Sequence, residues 1–284
     1  MIGSRGRSSA APSGVLRGRV REPSQGSRIV GTVTALAGRD LRRFFRQPSR
    51  IVGSAAQPLI LWLVLGAGLG GSFRPGGGNG VDYLRYFYPG VVVLTLLFTA
   101  IFSTISVIED RHHGFLQAVL AAPVSRVALV LGKTLGGVAI ASVQAAILLA
   151  LAPLAGFSAA GMNWPLLALA VPLSALAFTA LGFAMAWWID STQGYHAVMS
   201  VALIPLWMLS GAMFPPSGDS RWIRTLMALD PMTYTVSAIR RGFHGDALPA
   251  GLLPGGSAAM DLVLVAVAAL AALAAAVALC RRRA

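Results

Sequence analysis

Between Thr134 and Ile189 the chain runs for 56 residues without an Asp, Glu, Lys or Arg. A bilayer span needs about 20 apolar residues. The run is too long for one span and suits two, broken between Pro153 and Pro165 where Gly156, Gly161 and Asn163 supply turn residues. Further uncharged intervals lie between Arg50 and Arg74, from Tyr86 to Ile108, from Ser191 to Gly218 and from Leu262 to Cys280. Only 12% of the chain is charged, against about 25% in soluble domains. The apolar runs are continuous, so they read as helices and not as alternating barrel strands. Backbone groups in hydrocarbon must pair within their own segment, which a helix achieves.

The expected fold is therefore an all-α, polytopic membrane protein. Its six spans lie near 53–71, 88–108, 130–153, 165–188, 197–214 and 260–280, within one transmembrane domain over 29–284. Residues 1–28 are rich in Ser, Gly, Arg and Pro and read as a disordered basic tail. Of the 23 Lys and Arg residues, 11 precede Pro58. With the N-terminus inside, 17 of the 23 fall on the cytoplasmic side, which places both termini in the cytoplasm. The net charge of +13 then favours an anionic lipid surface over nucleic acid. The location expected is the plasma or inner membrane. Ile29, Val33, Leu36, Ala37, Leu41 and Phe44 fall at helical spacing, opposite Arg39, Arg42, Arg43 and Arg46. This predicts an interfacial amphipathic helix that Pro48 ends. Arg42, Arg43, Arg46, Arg126 and Lys133 read as anchors, with Lys133 snorkelling to the interface. Arg42-Arg43 ahead of an apolar stretch is also similar to an export signal, but that stretch is long enough to stay as a span.

Catalytic motifs are weak. Leu131-Gly132-Lys133-Thr134 resembles the end of a phosphate-binding loop, yet Val127 stands where that motif needs glycine. Glu109, His112 and His113 share a helix face but form a single copy of a metal-type pattern that requires two. Ser257 lies in a loop and His244 makes no convincing nucleophile pair with it. Cys280 stands alone, so no internal disulfide forms. The expectation is no catalysis, no metal and no cofactor on this chain. Glu109, Asp110, Asp190 and Asp261 all fall at predicted span ends, whereas a proton-driven carrier keeps an ionisable group at mid-membrane. Energy is expected to enter from outside the spans.

Two loops carry structure. After the second span, Phe115, Leu116, Val119 and Leu120 form the apolar face of a short helix that Pro123 stops, and Ser125 caps the next span. That face suits docking in a groove of a partner. Before the last span, Trp222, Ile223, Leu226 and Met227 make one helical stripe. Asp230-Pro231 opens a second helix with Asp as N-cap and Pro at its first position. Met232, Val236, Ile239 and Phe243 line it, and Arg240 and Arg241 close it. The pair reads as an external re-entrant segment, with Trp222, Asp230, Pro231, Tyr234 and Arg240 as its marker residues.

Taken together, Glu109-Asp110-Arg111, Gly114-Phe115-Leu116, Ala122-Pro123-Val124-Ser125-Arg126 and Gly132-Lys133 resemble the permease subunits of type-2 ABC exporters. The similarity is to the daunorubicin-resistance and nodulation-factor export group. Asp230-Pro231-Met232-Thr233-Tyr234 with Arg240, and Arg46-Gln47-Pro48, fit the same pattern, which covers roughly 30–280. The resemblance implies two permease copies, as a homodimer or a heterodimer, above two separate ATP-binding subunits that carry ATP and Mg. It implies a coupling helix near 109–122, with Glu109, Asp110, Arg111, Gly114, Phe115 and Leu116 as contacts to the ATPase. Cargo would be a drug, lipid or glycolipid. An ion-coupled carrier and a non-transporting scaffold are the competing expectations. His112-His113 is not part of the family pattern.

Overall fold

The computed structural model describes residues 25–70, 82–121, 124–215, 221–245 and 256–282. Most of the expected basic tail, residues 1–24, lies outside the described residues, as do Arg74, Ala122, Pro123, Pro216 and Arg283. Among the described residues every regular element is helical. The elements are α1 (Gln25–Phe45), α2 (Pro48–Leu69), α3 (Tyr83–His112), α4 (Phe115–Ala121), α5 (Arg126–Leu151) and α6 (Trp164–Trp188). After them come α7 (Thr192–Trp207), α8 (Arg221–Leu229), α9 (Pro231–His244) and α10 (Ala258–Arg282). Helices α2, α3, α5, α6, α7 and α10 carry the six stretches long and apolar enough to cross a membrane. They coincide with the six expected spans and start slightly earlier, because capping residues begin turns that hydropathy does not register. Ser125 accepts from the Ala128 amide at 3.2 Å, Asn163 from Leu166 at 3.0 Å and Ser191 from Gly194 at 3.1 Å.

Helix α3 is the centre of the bundle and packs against α2, α5 and α6, while α10 lies along α6. Its aromatic residues, with those facing it, use their polar atoms across helices. Trp62 Nε1 donates to the Leu84 carbonyl at 2.8 Å, Tyr88 Oη to Leu148 at 2.6 Å, and Trp207 Nε1 to Gly90 at 3.0 Å. In an apolar medium such bonds give each buried donor a partner and fix the rotation of neighbouring helices. Trp207 is buried by this contact. Phe214 and Trp222 stay exposed.

Helix α1, the expected interfacial helix, also packs on protein. It lies along α5, and Leu36, Asp40 and Phe44 are buried, while Ile29 and Val30 stay exposed. The contact is close because Gly132 and Gly136 form its floor. A Cβ at Gly132 would stand 2.9 Å from Leu36 Cβ, and one at Gly136 would stand 3.3 Å from Ala37 Cα. Their four-residue spacing puts both on one face of α5. The small-residue pairing is used within the chain, and part of the apolar stripe of α1 is covered by protein.

Helix α7 breaks before its end. Pro205 removes an amide from the ladder, and Met208–Ala212 forms a wide π-type turn with Gly211 at φ +79°. That angle belongs to the left-handed region which glycine tolerates. The break opens the Gly211 carbonyl to other donors.

Candidate functional site

At the bundle end that carries α4, the chain turns sharply. Helix α3 runs on through Glu109, Asp110 and Arg111 to His112, Gly114 reverses direction at φ +74°, and α4 starts at Phe115. The expected single helix near 109–122 is therefore two pieces. The reason is the left-handed glycine, which no continuous α-helix accommodates. Leu116 is buried in the core and Phe115 is half-buried beneath the Arg39 guanidinium, 3.9 Å from its ring centroid. The apolar face of α4 thus seats on its own chain. Gln117, Ala118 and Ala121 face outward, beside the exposed His112 and His113. Leu116 is therefore taken up by its own chain, while Phe115 keeps part of its surface open.

Under α4 lies a charge cluster. Lys133 on α5 is 4% exposed. Its Nζ lies 2.6 Å from Asp110 Oδ2, 3.0 Å from Asp40 Oδ2 and 3.4 Å from the Ser106 hydroxyl. Arg39 reaches Asp110 at 2.5 Å, and Arg43 reaches Glu109 at 2.9 Å. Three cations and three carboxylates from α1, α3 and α5 close on one another. Lys133 does not snorkel; two buried carboxylates hold it inside, where a lone charge would be expensive. A cavity of about 30 Å³ beside the cluster is lined by Asp40, Arg43, Phe44, Thr99, Ser103 and Ser106.

Neighbouring residues tie the same end together. Arg111 pairs with Asp190, donates to the Trp187 carbonyl at 3.1 Å and lies over the Trp187 ring. His112 Nε2 is 2.9 Å from the Asp190 carbonyl, and His113 Nδ1 is 2.7 Å from the Glu109 carbonyl. Both rings are thus engaged with backbone. Arg126 donates to the Cys280 carbonyl at 2.9 Å, near the end of α10. Arg42 on α1 and Arg46 just after it are exposed.

At the opposite end of α3, α9 is packed into the bundle against α3, α6 and α10. Asp230 caps it by accepting from the Met232 amide at 2.9 Å, with Pro231 at the first position. Burial pushes the Asp230 carboxyl up to about 7. The expected apolar face of Met232, Val236, Ile239 and Phe243 is fully inside. Tyr234 Oη donates back to Ala228 at 2.8 Å, which staples α8 to α9. Trp222 on α8 is 65% exposed. Arg240 does not close the helix at its surface. It is 1% exposed, lies 4.3 Å from the Tyr86 ring centroid and donates to the Gly211 carbonyl at 3.0 Å. Tyr86 Oη donates to that same carbonyl at 2.8 Å. Arg241 and Ser237 hold Asp261 of α10 at 2.9 and 2.6 Å. His244 Nδ1 lies against the Arg240 carbonyl at 3.0 Å and Ser257 Oγ accepts from the Met260 amide at 3.2 Å, so both have structural partners.

The site residues that sequence reading passed over are Arg39, Asp40, Ser106, Tyr86 and Gly211. Asp40 did leave a signal: it falls at helical spacing with Leu36, Ala37 and Phe44, an acid on an apolar face. Asp261 is similar, four residues before buried Val265 and eight before buried Ala269.

Comparison with known proteins shows the family. The family model described as ABC-2 type transporter matches residues 32–244. A putative transport permease, ycf38, of Porphyra purpurea is 27% identical over 218 residues, 75% of this chain and 74% of its own length. The daunorubicin resistance ABC transporter permease protein DrrB1 of Streptomyces coeruleorubidus is 26% identical over 79% of each chain. Nodulation protein J of Neorhizobium galegae is 26% identical over 76% of this chain and 82% of its own.

Proposed function

We propose that this chain, which belongs to the ABC-2 type transporter family, is the membrane-spanning permease of an ATP-driven exporter and draws its energy from a separate ATP-binding subunit. The chain is a multi-pass membrane protein of a family of transport permeases. In this reading ATP and Mg belong to the partner, and two permease copies form the pathway. Both termini are cytoplasmic, in a plasma or inner membrane, and α8 and α9 form the external segment before the last span. The supporting observation is the mounting of α4. It hangs between two long apolar helices, pinned by Leu116, with a face of small residues turned outward. Such a face allows close approach of a partner, and the exposed Arg42 and Arg46 offer charge to an acidic surface or to anionic lipid. Relatives named for daunorubicin resistance and nodulation support an amphipathic cargo.

The test is co-purification in mild detergent with a soluble ATP-binding protein. ATP hydrolysis is expected in the complex and not in the isolated permease. Ala118→Glu, on the exposed face of α4, is expected to weaken assembly about tenfold or more, the scale of one truncated or obstructed interface contact. Transport by the isolated chain on an ion gradient would sink the proposal.

A further inference from the structure

We infer that Lys133 is a positioning residue that locks α4 to the spans, so that displacement of α4 moves α3 and α5 as one body. This rests on the exporter reading above. The physical chain is continuous. Phe115 of α4 lies under Arg39 of α1, and Arg39 bonds Asp110 of α3 at 2.5 Å. Asp110 bonds Lys133 of α5 at 2.6 Å, and Lys133 bonds Asp40 of α1 at 3.0 Å. Each link is charge-assisted or cationic on an aromatic face, and the Lys133–Asp110–Asp40 part is buried. In a medium of low dielectric such contacts are electrostatically stronger than in water.

Lys133 is the node for a geometric reason. It is the cation that meets both buried carboxylates from inside the bundle, whereas Arg39 approaches from the half-buried side. Removing it leaves Asp40 and Asp110 with one shared cation, Arg39, and no tie from α1 or α3 to α5 through this cluster. The direct apolar contacts of α3 with α5 remain, so the bundle stays assembled while the α4 end loosens. The cluster is net neutral, with Arg39, Arg43 and Lys133 against Asp40, Glu109 and Asp110. It therefore serves registry between elements and leaves no spare charge for a ligand. Buried polar clusters that fix one arrangement of packed helices are the best-attested use of such pairs.

Two measurements test this. First, spin labels are placed at Gln117→Cys on α4 and Leu135→Cys on α5 in a Cys280→Ala full-length chain in lipid nanodiscs. Lys133→Met is expected to broaden the distance distribution and Lys133→Arg to narrow it again. Second, the assembled complex with its ATPase carries a label at Trp222→Cys on α8 and is given ATP and Mg. Lys133→Met is expected to keep most of its ATP hydrolysis while the label's response falls by about tenfold, the scale of coupling changes between packed elements. Should Lys133→Met fail to fold, Lys133→Met/Asp110→Asn restores neutrality and is expected to assemble but remain uncoupled. An unchanged distance distribution and response overturns the inference. So does an equal fall in assembly, hydrolysis and response, which marks a purely structural role. A wild-type chain that assembles with no ATPase sinks the exporter reading instead, and the first measurement still decides whether Lys133 locks α4.

Discussion

Replacing Gly132 by alanine separates a helix seated on protein from one lying in the lipid interface, because the two cases predict opposite signs. Alanine is better than glycine in a helix by about 1 kcal/mol. If α1 floated free of α5, Gly132→Ala would therefore stabilise the chain. The structure gives the added Cβ contacts of 2.9 Å to Leu36 Cβ, 3.1 Å to Leu36 Cδ1 and 3.3 Å to Val33 Cα. Two of these are backbone-proximal atoms that no rotamer change can move, so α1 must shift bodily by several tenths of an ångström. Overpacking of this kind costs about 1–3 kcal/mol, which outweighs the propensity gain over most of that range. The shift also disturbs Asp40, four residues along α1 and bonded to Lys133. The expected net effect is a loss of about 1 kcal/mol, read as a lower midpoint of thermal unfolding in detergent. Leu36→Gly removes the nearest contact. The double variant Leu36→Gly/Gly132→Ala is therefore expected to be more stable than the two single effects add to, by about 0.5 kcal/mol or more. A Gly132→Ala chain as stable as the wild type, with no coupling to Leu36, would refute the docking of α1 on α5.

Two further expectations concern the α9 end. Asp230 titrates near 7 in the folded chain against 3.8 ordinarily, so between those values the folded state holds a proton that the unfolded state has released. Stability from this group is complete below pH 4 and falls as pH rises through about 7. Asn keeps the cap without the charge, so Asp230→Asn should match the wild type near pH 4 and exceed it at pH 8. The rise from 3.8 to about 7 limits the gain to about 4 kcal/mol at most; equal midpoints at pH 8 would contradict this. Tyr86→Phe should cost only about 1 kcal/mol in the same unfolding assay, since Arg240 still donates to the Gly211 carbonyl. A loss several times larger would mean that the hydroxyl, and not the guanidinium, holds the α7 turn.

The spans were legible because 20-residue uncharged runs have few other uses, and the caps at Ser125 and Asp230 because capping is local chemistry. What escaped was long-range. Lys133 and Asp40 are 93 residues apart in the chain, and hydropathy places each near a span end without saying which way it points. Arg240 was read as a surface stop because cations commonly end helices, but Tyr86 and the Gly211 carbonyl give it a place inside. The split between α3 and α4 was hidden for a subtler reason. Glu109 to His112 and Phe115 to Leu120 are each compatible with one helix, and a glycine between them is ambiguous until its φ is seen. The apolar stripe of α1 was read correctly as a stripe, but a stripe does not say whether lipid or protein covers it. The Gly132–Gly136 pair answers that only once α1 is found above it.

The two polar clusters divide the bundle in a way that bears on where motion goes. Asp110 and Tyr86 sit on the same helix, 24 residues apart, which at 1.5 Å per residue is about 36 Å, roughly the thickness of a bilayer's apolar core with its margins. Helix α3 is continuous between them, with Pro89 removing one ladder bond near the Tyr86 end. One end is bolted to α1 and α5 through Asp110 and Lys133. The other lies against α7 and α9 through Tyr86, Arg240 and the Gly211 carbonyl. On the exporter reading proposed above, a push at the α4 end would reach the α9 end chiefly as a shift or tilt of α3, with bending eased at Pro89 where a ladder bond is missing. The compliant element on the receiving side is the Met208–Ala212 turn of α7, where the ladder is already opened by Pro205 and Gly211. Gly90 of α3 lies so close to this turn that a Cβ there would meet the Ala212 carbonyl at 2.9 Å. Displacement of α3 is thus delivered directly to the one broken span among the described residues, where rearrangement costs least.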